Sequence, residues 1–293
     1  MILTHAIHDV APYINWIYFF HAWGFQPRFA AIADIHGCDA CRASWLTTFE
    51  EQDRSKASEA MQLFKEANRM LNQLDEDFKA KSVFRLCEAN SDGDNLLLDG
   101  TVLPLLRQQT RKKNTDPFLC LSDFVRPLSS EIYDTVGVFA STVDNNMERM
   151  YENDSYKHLL IQTLADRLAE AATEKMHEYV RKEVWGYAKD ENLNMHELLS
   201  EKFQGIRPAV GYPSLPDQSI NFILNDLLNM KEIGITLTEN GAMHPHSSVS
   251  GLIISHPKAK YFSIGKIGED QLIDYAKRRG MSIEVMKKFL AAN

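Results

Sequence analysis

The sequence predicts an α+β domain built around one long central helix. Helical and strand-like patterns are intermixed along the 293 residues, without the regular strand–helix alternation of a parallel sheet. Residues 155–184 keep an apolar stripe at helical spacing for most of their length, and at about 1.5 Å per residue they would extend about 45 Å. Residues 135–140 are short, apolar and rich in β-branched side chains, which is typical of a buried strand.

Composition and charge limit the class of protein. Hydrophobic residues make up 44% of the chain and charged residues 25%, as in ordinary globular proteins. The net charge of −8, with no long basic run, argues against nucleic acid or an anionic membrane as a partner. No apolar run approaches the roughly 20 residues that span a bilayer, and the N-terminus lacks the pattern of a signal peptide. We therefore expect a cytoplasmic protein.

The first third of the chain predicts helices followed by a hairpin. Six aromatic side chains fall within residues 12–23, and their spacing favours a helix packed on a core. Residues 50–74 carry an apolar stripe on one side and charges on the other, which also predicts a helix. Strands are predicted at 82–86 and 96–98 around an Asp-Gly turn. A calcium loop is disfavoured there, because the required distal glutamate is missing.

The later elements are predicted from shorter runs, without internal repeats. A basic loop at 111–113 precedes the first of four strands, at 118–121, 135–140, 252–255 and 261–264. A further strand-like run covers residues 233–238. Helices other than the central one are predicted at 195–203, 219–230, 268–279 and 282–290.

Asn15 interrupts the aromatic run near the N-terminus. A polar side chain in such a run is either turned to solvent or hydrogen-bonded to a specific partner, and the sequence leaves both open.

Cys38 and Cys41 form a CxxC pair that follows His36 closely. This spacing occurs in zinc and redox sites. No second CxxC or HxxxH follows at ligand spacing, and the two other cysteines stand alone. The His-Pro-His sequence at 244–246 lacks a third ligand as well. A structural role is favoured for both segments, and no metal site is predicted.

Residues 205–216 form a loop with three prolines and two glycines. Proline fixes φ and glycine permits positive φ, so this backbone is expected to be rigid rather than flexible. Arg207 and Tyr212 would project from it. The loop is either a rigid connector between elements or a recognition surface.

Distinctive short motifs occur along nearly the whole chain. The most specific are RPAVGYP at 207–213 and DYAKRRGM at 274–281. Supporting segments are LRQQ at 106–109, SDF at 122–124, LADRLAEA at 164–171, VWGY at 184–187, LTE at 237–239, AM at 242–243, SVSG at 248–251, YF at 261–262 and DQ at 270–271. In this order, over roughly residues 10–285, they resemble the activation domain of cobalamin-dependent methionine synthase.

The resemblance implies a single domain over residues 1–293 with a twisted, mainly antiparallel sheet and flanking helices. It implies that the chain binds S-adenosylmethionine and supplies its methyl group for the reductive methylation of cob(II)alamin. Residues 1–293 carry no recognisable cobalamin-, folate- or homocysteine-binding region. The chain is thus expected to be a stand-alone subunit serving a methionine synthase that lacks its own activation domain, with a flavodoxin-type electron donor.

The resemblance also implies which residues form the site. Asn15, Glu170, Arg207, Ala209, Gly211, Tyr261 and Phe262 would surround S-adenosylmethionine. Tyr212, His244, Ser248 and Ser250 would face the partner's cobalamin. No catalytic side chain is expected, because the reduced cobalt is itself the nucleophile and the sulfonium is the leaving group.

Four features depart from the family pattern. Asn15 stands where the family has an aspartate, which removes a charge-assisted bond of about 1.5–3 kcal/mol to a cationic group. Gln218 replaces a histidine and Val210 a proline. Residues 36–41, within an N-terminal segment of residues 1–45, form an atypical insertion. Two alternatives therefore remain: a diverged docking module that does not bind S-adenosylmethionine, and a reactivator of another corrinoid methyltransferase.

Overall fold

The structure, a computed structural model, describes residues 1–110 and 115–290, so the predicted basic loop at 111–113 lies outside the described residues. The described helices are α1 (Ile7–Val10), α2 (Trp16–Ala22), α3 (Asp39–Thr47), α4 (Glu51–Asp77), α5 (Ser155–Tyr179), α6 (Met195–Leu199), α7 (Ile220–Leu228), α8 (Glu269–Arg278) and α9 (Ile283–Leu290). The described strands are β1 (Ile2–Ala6), β2 (Lys79–Asp92), β3 (Asn95–Leu98), β4 (Thr101–Pro104), β5 (Asp134–Val143), β6 (Thr236–Leu237), β7 (Met243–His244) and β8 (Ser248–Ile253).

An antiparallel sheet of six strands organises the part of the chain that the structure covers. Its order is β4-β3-β2-β5-β8, and β1 also pairs with β2. Strand β2 is long enough to pair with β1 through its first residues and with β3 through its last, on the same edge. Strand β5 occupies the other edge of β2 and carries β8 beyond it. The register aligns Phe84 with Phe139 and Phe139 with Gly251.

Each face of the sheet is covered by a different helix, because successive strand residues point to opposite faces. On one face Phe84, Phe139 and Ile253 pack against α5. On the other face lie Val83, Val138 and Leu252, which pack against α7 and the 3₁₀ turn that follows it. The long helix α5 therefore crosses the sheet beside β8, where the proline-rich loop is attached.

The N-terminal helices form a second packing layer against α5. Aromatic side chains of α2 pack edge to face with each other and with α4. The ring centroids of Trp16 and Phe19 are 5.2 Å apart, and those of Trp16 and Phe64, on α4, are 4.7 Å apart. This core also contains Leu160 and Leu164 from the first half of α5. The aromatic run thus fixes residues 13–18 against the same helix that crosses the sheet.

The C-terminal helices hold the far end of the proline-rich loop. Asp217 is fully buried and accepts hydrogen bonds from Ser219 and from the Tyr275 hydroxyl, the latter at 2.7 Å. Arg279 lies 3.3 Å from the same carboxylate. Helix α8 therefore fixes the point at which the loop passes into α7.

Most of the predicted elements are confirmed. The α+β class, the helix over 50–74, the Asp-Gly hairpin and the strand over 135–140 are all observed. The predicted central helix is α5, followed by a π-turn at Val180–Val184. The helices predicted at 219–230, 268–279 and 282–290 are α7, α8 and α9.

Three strand predictions are wrong in extent or type. Residues 118–121 form no strand, because the Leu119 amide donates to the Gln108 side chain and the Cys120 amide donates to the Asp123 carboxylate. Residues 261–264 are irregular, and the Ile264 amide donates to Pro213 of the proline-rich loop. The strand over 233–238 shrinks to β6, and β1 was not predicted at all.

None of the described helices is both long and apolar enough to cross a membrane.

Candidate functional site

A groove with a volume of about 550 Å³ lies among the proline-rich loop, α5, the N-terminal segment and residues 261–263. We call it the central groove. Its size is typical of small-molecule sites. It is lined by Tyr13, Asn15, Tyr18, Arg167, Glu170, Glu174, Leu199, Glu201, Arg207, Pro208, Ala209, Tyr212, Pro213, Ser214, Tyr261, Phe262 and Ser263.

The proline-rich loop lies alongside strand β8 and hydrogen-bonds to it, as a short irregular extension of the sheet. The Val210 amide donates to the Ser250 carbonyl at 2.9 Å, and the Leu252 amide donates to the Pro208 carbonyl at 3.0 Å. The approach is so close that a Cβ on Gly251 would lie 2.2 Å from the Pro208 oxygen. Glycine at this position is therefore what lets the loop dock and place Arg207 and Ala209 in the groove.

Arg207 lies at the floor of the groove with only 8% of its side chain exposed. Its Nη2 donates to Glu174 Oε1 at 2.5 Å and lies 4.0 Å from Glu170 Oε2. Its backbone amide donates to the Tyr261 hydroxyl at 2.9 Å. Glu170 and Glu174 are four residues apart, so α5 presents both carboxylates on one face.

These two carboxylates keep the guanidinium of Arg207 protonated. Burial alone would lower its pKa, but Glu174 and Glu170 outweigh burial, and the pKa of the guanidinium is raised. Two polar atoms of the cluster, Arg207 Nε and Glu174 Oε2, are buried without a hydrogen-bond partner within the described residues. The floor of the groove therefore holds a fixed cation with unused donor and acceptor capacity beside it.

Two tyrosines form part of the groove wall and carry hydroxyls in this polar network. The Tyr212 hydroxyl donates to Glu170 Oε1 at 2.9 Å, and the nearby charge of Glu170 together with burial raises the pKa of Tyr212 to about 12. Burial raises the pKa of Tyr261 to about 12, although Arg207 opposes the shift. Both hydroxyls are thus neutral at physiological pH and can act as hydrogen-bond donors.

Asn15 lies in the groove lining and also begins helix α2. Its Oδ1 accepts the Ile17 amide at 3.1 Å, so the side chain is the N-cap of α2. Of the two readings left open by the sequence, the specific hydrogen bond is the one observed. The capping bond uses one lone pair of the oxygen and orients the side chain, and the amide NH₂ is a donor that can meet a ligand.

Gly211 is absent from the groove lining. Its amide donates to the Leu215 carbonyl at 2.9 Å, and its φ is +87°. A Cβ there would lie 2.4 Å from Gln218 Nε2. Gly211 therefore shapes the turn of the loop, and Gln218 packs against that turn rather than in the groove.

The three predicted residues of the 244–250 loop lie outside the groove lining and differ in exposure. His244 is exposed at the end of β7. The Ser248 hydroxyl is half-buried and donates to the Pro245 carbonyl at 2.7 Å. Ser250 is buried and donates to Asn221 Oδ1. His244 is accessible to another molecule, whereas both serine hydroxyls bond within the protein.

The structure brings together six of the seven residues predicted to surround a ligand, and it adds several that were not predicted. Glu174 could have been found from its position one helical turn after Glu170. Glu201 follows α6 with φ +57°, a conformation that costs most residues energy, and no pattern in the sequence indicates it. Arg167 and Tyr18 also line the groove, with the guanidinium 6.0 Å from the Tyr18 ring centroid.

Comparisons with known proteins agree with this architecture. A sequence model of the family described as "Vitamin B12 dependent methionine synthase, activation domain" matches residues 6–280. The chain is also similar to a solved structure described as the MetH reactivation domain bound to AdoHcy. The two share 36% sequence identity, the match covers 100% of this chain and 89% of that chain, and the TM-score is 0.86.

Proposed function

The chain belongs to the activation-domain family of vitamin B12-dependent methionine synthases, and from that premise we propose that it binds S-adenosylmethionine in the central groove. We further propose that it presents the methyl group to cobalamin carried by a partner protein. The chain would then act as a reactivation subunit in methionine biosynthesis.

The charge pattern of the groove carries this proposal. Its lining holds two arginines, Arg167 and Arg207, against three glutamates, Glu170, Glu174 and Glu201, which leaves one negative charge in excess. S-adenosylmethionine carries an α-carboxylate, an α-ammonium and a sulfonium, and so has one positive charge in excess. The complementarity predicts that S-adenosylmethionine binds more tightly than S-adenosylhomocysteine, which lacks the sulfonium.

Each charged end of the ligand has a matching group in the groove. The planar guanidinium of Arg207 suits the α-carboxylate, because it donates two parallel hydrogen bonds. Its Nε already lacks a partner within the described residues. The α-ammonium suits Glu174, whose Oε2 is likewise unpaired. Ala209 and the adjoining loop backbone would border the amino-acid end, while Tyr261 and Phe262 would flank the rest of the ligand.

The residues of this chain position the ligand and exclude water; none serves as acid, base or nucleophile in the proposal. Cobalamin held by the partner would supply the nucleophile once cob(II)alamin is reduced by one electron from a flavodoxin-type donor, with S-adenosylhomocysteine as the leaving group. Tyr212 and His244 are the accessible residues proposed to face the corrin. Ser248 and Ser250 would act indirectly, by holding the 244–250 loop in shape.

The proposed partner is a cobalamin-binding methionine synthase that lacks an activation domain of its own. The family match fills residues 6–280, so the cobalamin-binding unit of such a system lies outside these residues. We propose that the chain reaches it in trans, as a stand-alone subunit.

The test is methyl transfer in trans. S-adenosylmethionine with a labelled methyl group, a reduced flavodoxin and the cobalamin-binding part of a methionine synthase are mixed with this chain. Label is expected on cobalamin only when all components are present. Arg207→Ala should slow transfer at subsaturating ligand by about 100-fold or more, because a buried charge-assisted pair contributes about 3 kcal/mol. Arg28→Ala, which removes an exposed arginine paired with Asp53, is the control and should transfer normally. No transfer by the folded, ligand-saturated chain would refute the proposal.

One observation favours a second function, that of a docking module without its own ligand. Asn15 has its oxygen engaged in the N-cap of α2 and offers no carboxylate to the groove. In that case the chain would bind the cobalamin protein equally well with and without S-adenosylmethionine. Reactivation of another corrinoid methyltransferase would instead appear as transfer to that enzyme's corrinoid protein alone.

A further inference from the structure

Residues 36–41 bring three metal-type ligands together. One ligand atom each from His36, Cys38 and Cys41 lies within 4.8 Å of the other two. Among the described residues this is the only group of three His, Cys, Asp or Glu side chains that is so arranged. None of the three lines the central groove, so the cluster is a separate feature.

Local backbone structure fixes the two cysteines relative to each other. Cys38 is the N-cap of α3, and its Sγ accepts the Cys41 amide at 3.2 Å. An amide directed at sulfur, at the positive end of a helix, favours a thiolate at Cys38. Both cysteines are free thiols and only partly buried, and His36 is exposed, so all three remain accessible to an ion.

The protonation of the pair agrees with this geometry. Hydrogen bonds from Cys41 and His36 lower the pKa of the Cys38 thiol to about 7. The pKa of Cys41 is raised, chiefly because its thiol hydrogen-bonds to Cys38. An ion that binds both sulfurs must displace the protons that remain on the two thiols.

We propose that His36, Cys38 and Cys41 form a binding site for one Zn²⁺ ion. Two thiolates and an imidazole are ligands that zinc prefers, whereas calcium and magnesium require oxygen. Zinc bonds of about 2.3 Å to sulfur and about 2.0 Å to nitrogen place tetrahedral ligand atoms about 3.5–3.8 Å apart. The ligand atoms, which lie within 4.8 Å of one another, would have to approach by about 1 Å to reach these separations.

The fourth coordination position would be filled from solvent. The described residues bring no fourth His, Cys, Asp or Glu into the group. A site with three protein ligands leaves room for water or for a small thiol. Binding would fasten the start of α3 to the chain that precedes it, so zinc should raise the midpoint of thermal unfolding.

The experiment uses the full chain, reduced and stripped of metal with a chelator. Co²⁺ is titrated first, because thiolate-to-cobalt charge transfer and intense visible bands report tetrahedral sulfur ligation. Zn²⁺ is then added in competition. One equivalent of Co²⁺ should give these bands, and one equivalent of Zn²⁺ should remove them. Below pH 7 the affinity should fall by about tenfold or more per pH unit, because metal binding releases thiol protons.

Variants separate this site from adventitious binding. Cys38→Ser, Cys41→Ser and His36→Ala should each weaken Zn²⁺ by more than tenfold, while Cys87→Ala, which removes a buried thiol elsewhere, should not. Binding of S-adenosylmethionine should be unchanged in all four. The proposal is overturned if no thiolate bands appear, if binding survives loss of both Cys38 and Cys41, or if the pair only cycles to a disulfide without taking up metal.

Discussion

Two buried arginines, Arg181 and Arg207, each pair with a glutamate, and of the two only Arg207 lines the central groove. Arg181, in the π-turn after α5, is fully buried and donates to both oxygens of Glu191 through Nε and Nη2. Its guanidinium also lies 4.3 Å from the Phe203 ring centroid. Arg207 is nearly as buried, but it pairs with Glu174 through Nη2 alone and lines the central groove. Burial, a carboxylate partner and an unpaired guanidinium nitrogen are thus common to both arginines within the described residues. The central groove beside Arg207 is what suits it to a ligand.

The contrast extends to the surroundings of each arginine. Arg181 has His177 beside it, a fully buried residue whose ring contacts Phe203. Arg207 has two tyrosines and several carboxylates that reach solvent through the groove. We therefore expect changes around Arg181 to affect stability, and changes around Arg207 to affect binding.

The largest effect is expected from Arg181→Ala. It leaves Glu191 with an uncompensated buried charge, which should lower the free energy of unfolding by about 3–5 kcal/mol. Urea titration measures this loss. The surface variant Arg28→Ala should change stability by less than about 0.5 kcal/mol. A loss near that small value for Arg181→Ala would remove the distinction between the two arginines.

Asn15→Asp should change ligand affinity in the central groove. A carboxylate near the ligand ammonium adds a charge-assisted bond of about 1.5–3 kcal/mol, so affinity for S-adenosylmethionine should rise by about 10- to 100-fold. Stability should hold, because aspartate is an equally good N-cap. Asn15→Ser keeps a cap without the charge and should not tighten binding. Equal affinities of the Asp and Ser variants would mean that the position is not near the ammonium.

His177, which lies beside Arg181, makes the stability of the protein depend on pH. Burial, followed by the charges of Arg181 and Arg207, holds its pKa well below the usual value of 6.5. The unfolded chain takes up a proton near pH 6.5 and the folded chain does not. The contribution of neutral His177 to the free energy of unfolding is therefore complete above pH 6.5. It is lost as pH falls below that value, by up to about 1.4 kcal/mol per pH unit. His177→Leu should flatten this part of the stability profile; an unchanged slope below pH 6.5 would contradict the assignment.

The smallest effect is expected from Tyr212→Phe. Loss of the hydrogen bond to Glu170 should weaken ligand binding by about 0.5–1.5 kcal/mol, or roughly tenfold at most, with little change in stability because the ring is more than half exposed. Tyr179→Phe, at a partly exposed tyrosine outside the groove, is the matched control. A larger loss of ligand affinity in Tyr179→Phe than in Tyr212→Phe would contradict the placement of the ligand in the central groove.

Sequence reasoning predicted the long periodic elements well and the short ones poorly. Helices α4 and α5 have many turns of consistent pattern. Residues 118–121 and 261–264 look like strands only because short apolar runs are ambiguous, and their amides are taken up by Gln108, Asp123 and Pro213.

The candidate site was predicted through family resemblance more than through residue patterns. Arg207 and Tyr212 stood out because the proline-rich loop presents them, whereas Glu170 came only from the resemblance. Glu201 lines the groove because its own backbone adopts a left-handed conformation, which no sequence periodicity predicts. For residues 36–41 the sequence predicts a structural role, because no second ligand motif follows at metal-site spacing. The convergence of the three side chains is visible only in the structure.

Calorimetric titration of S-adenosylmethionine into Arg207→Ala and Arg181→Ala, each at a temperature where it is folded, tests the central claim most directly. Loss of binding by about 100-fold or more is expected for Arg207→Ala, and affinity close to that of the unsubstituted chain for Arg181→Ala. Tight binding by Arg207→Ala, or equal losses in both variants, would contradict the account.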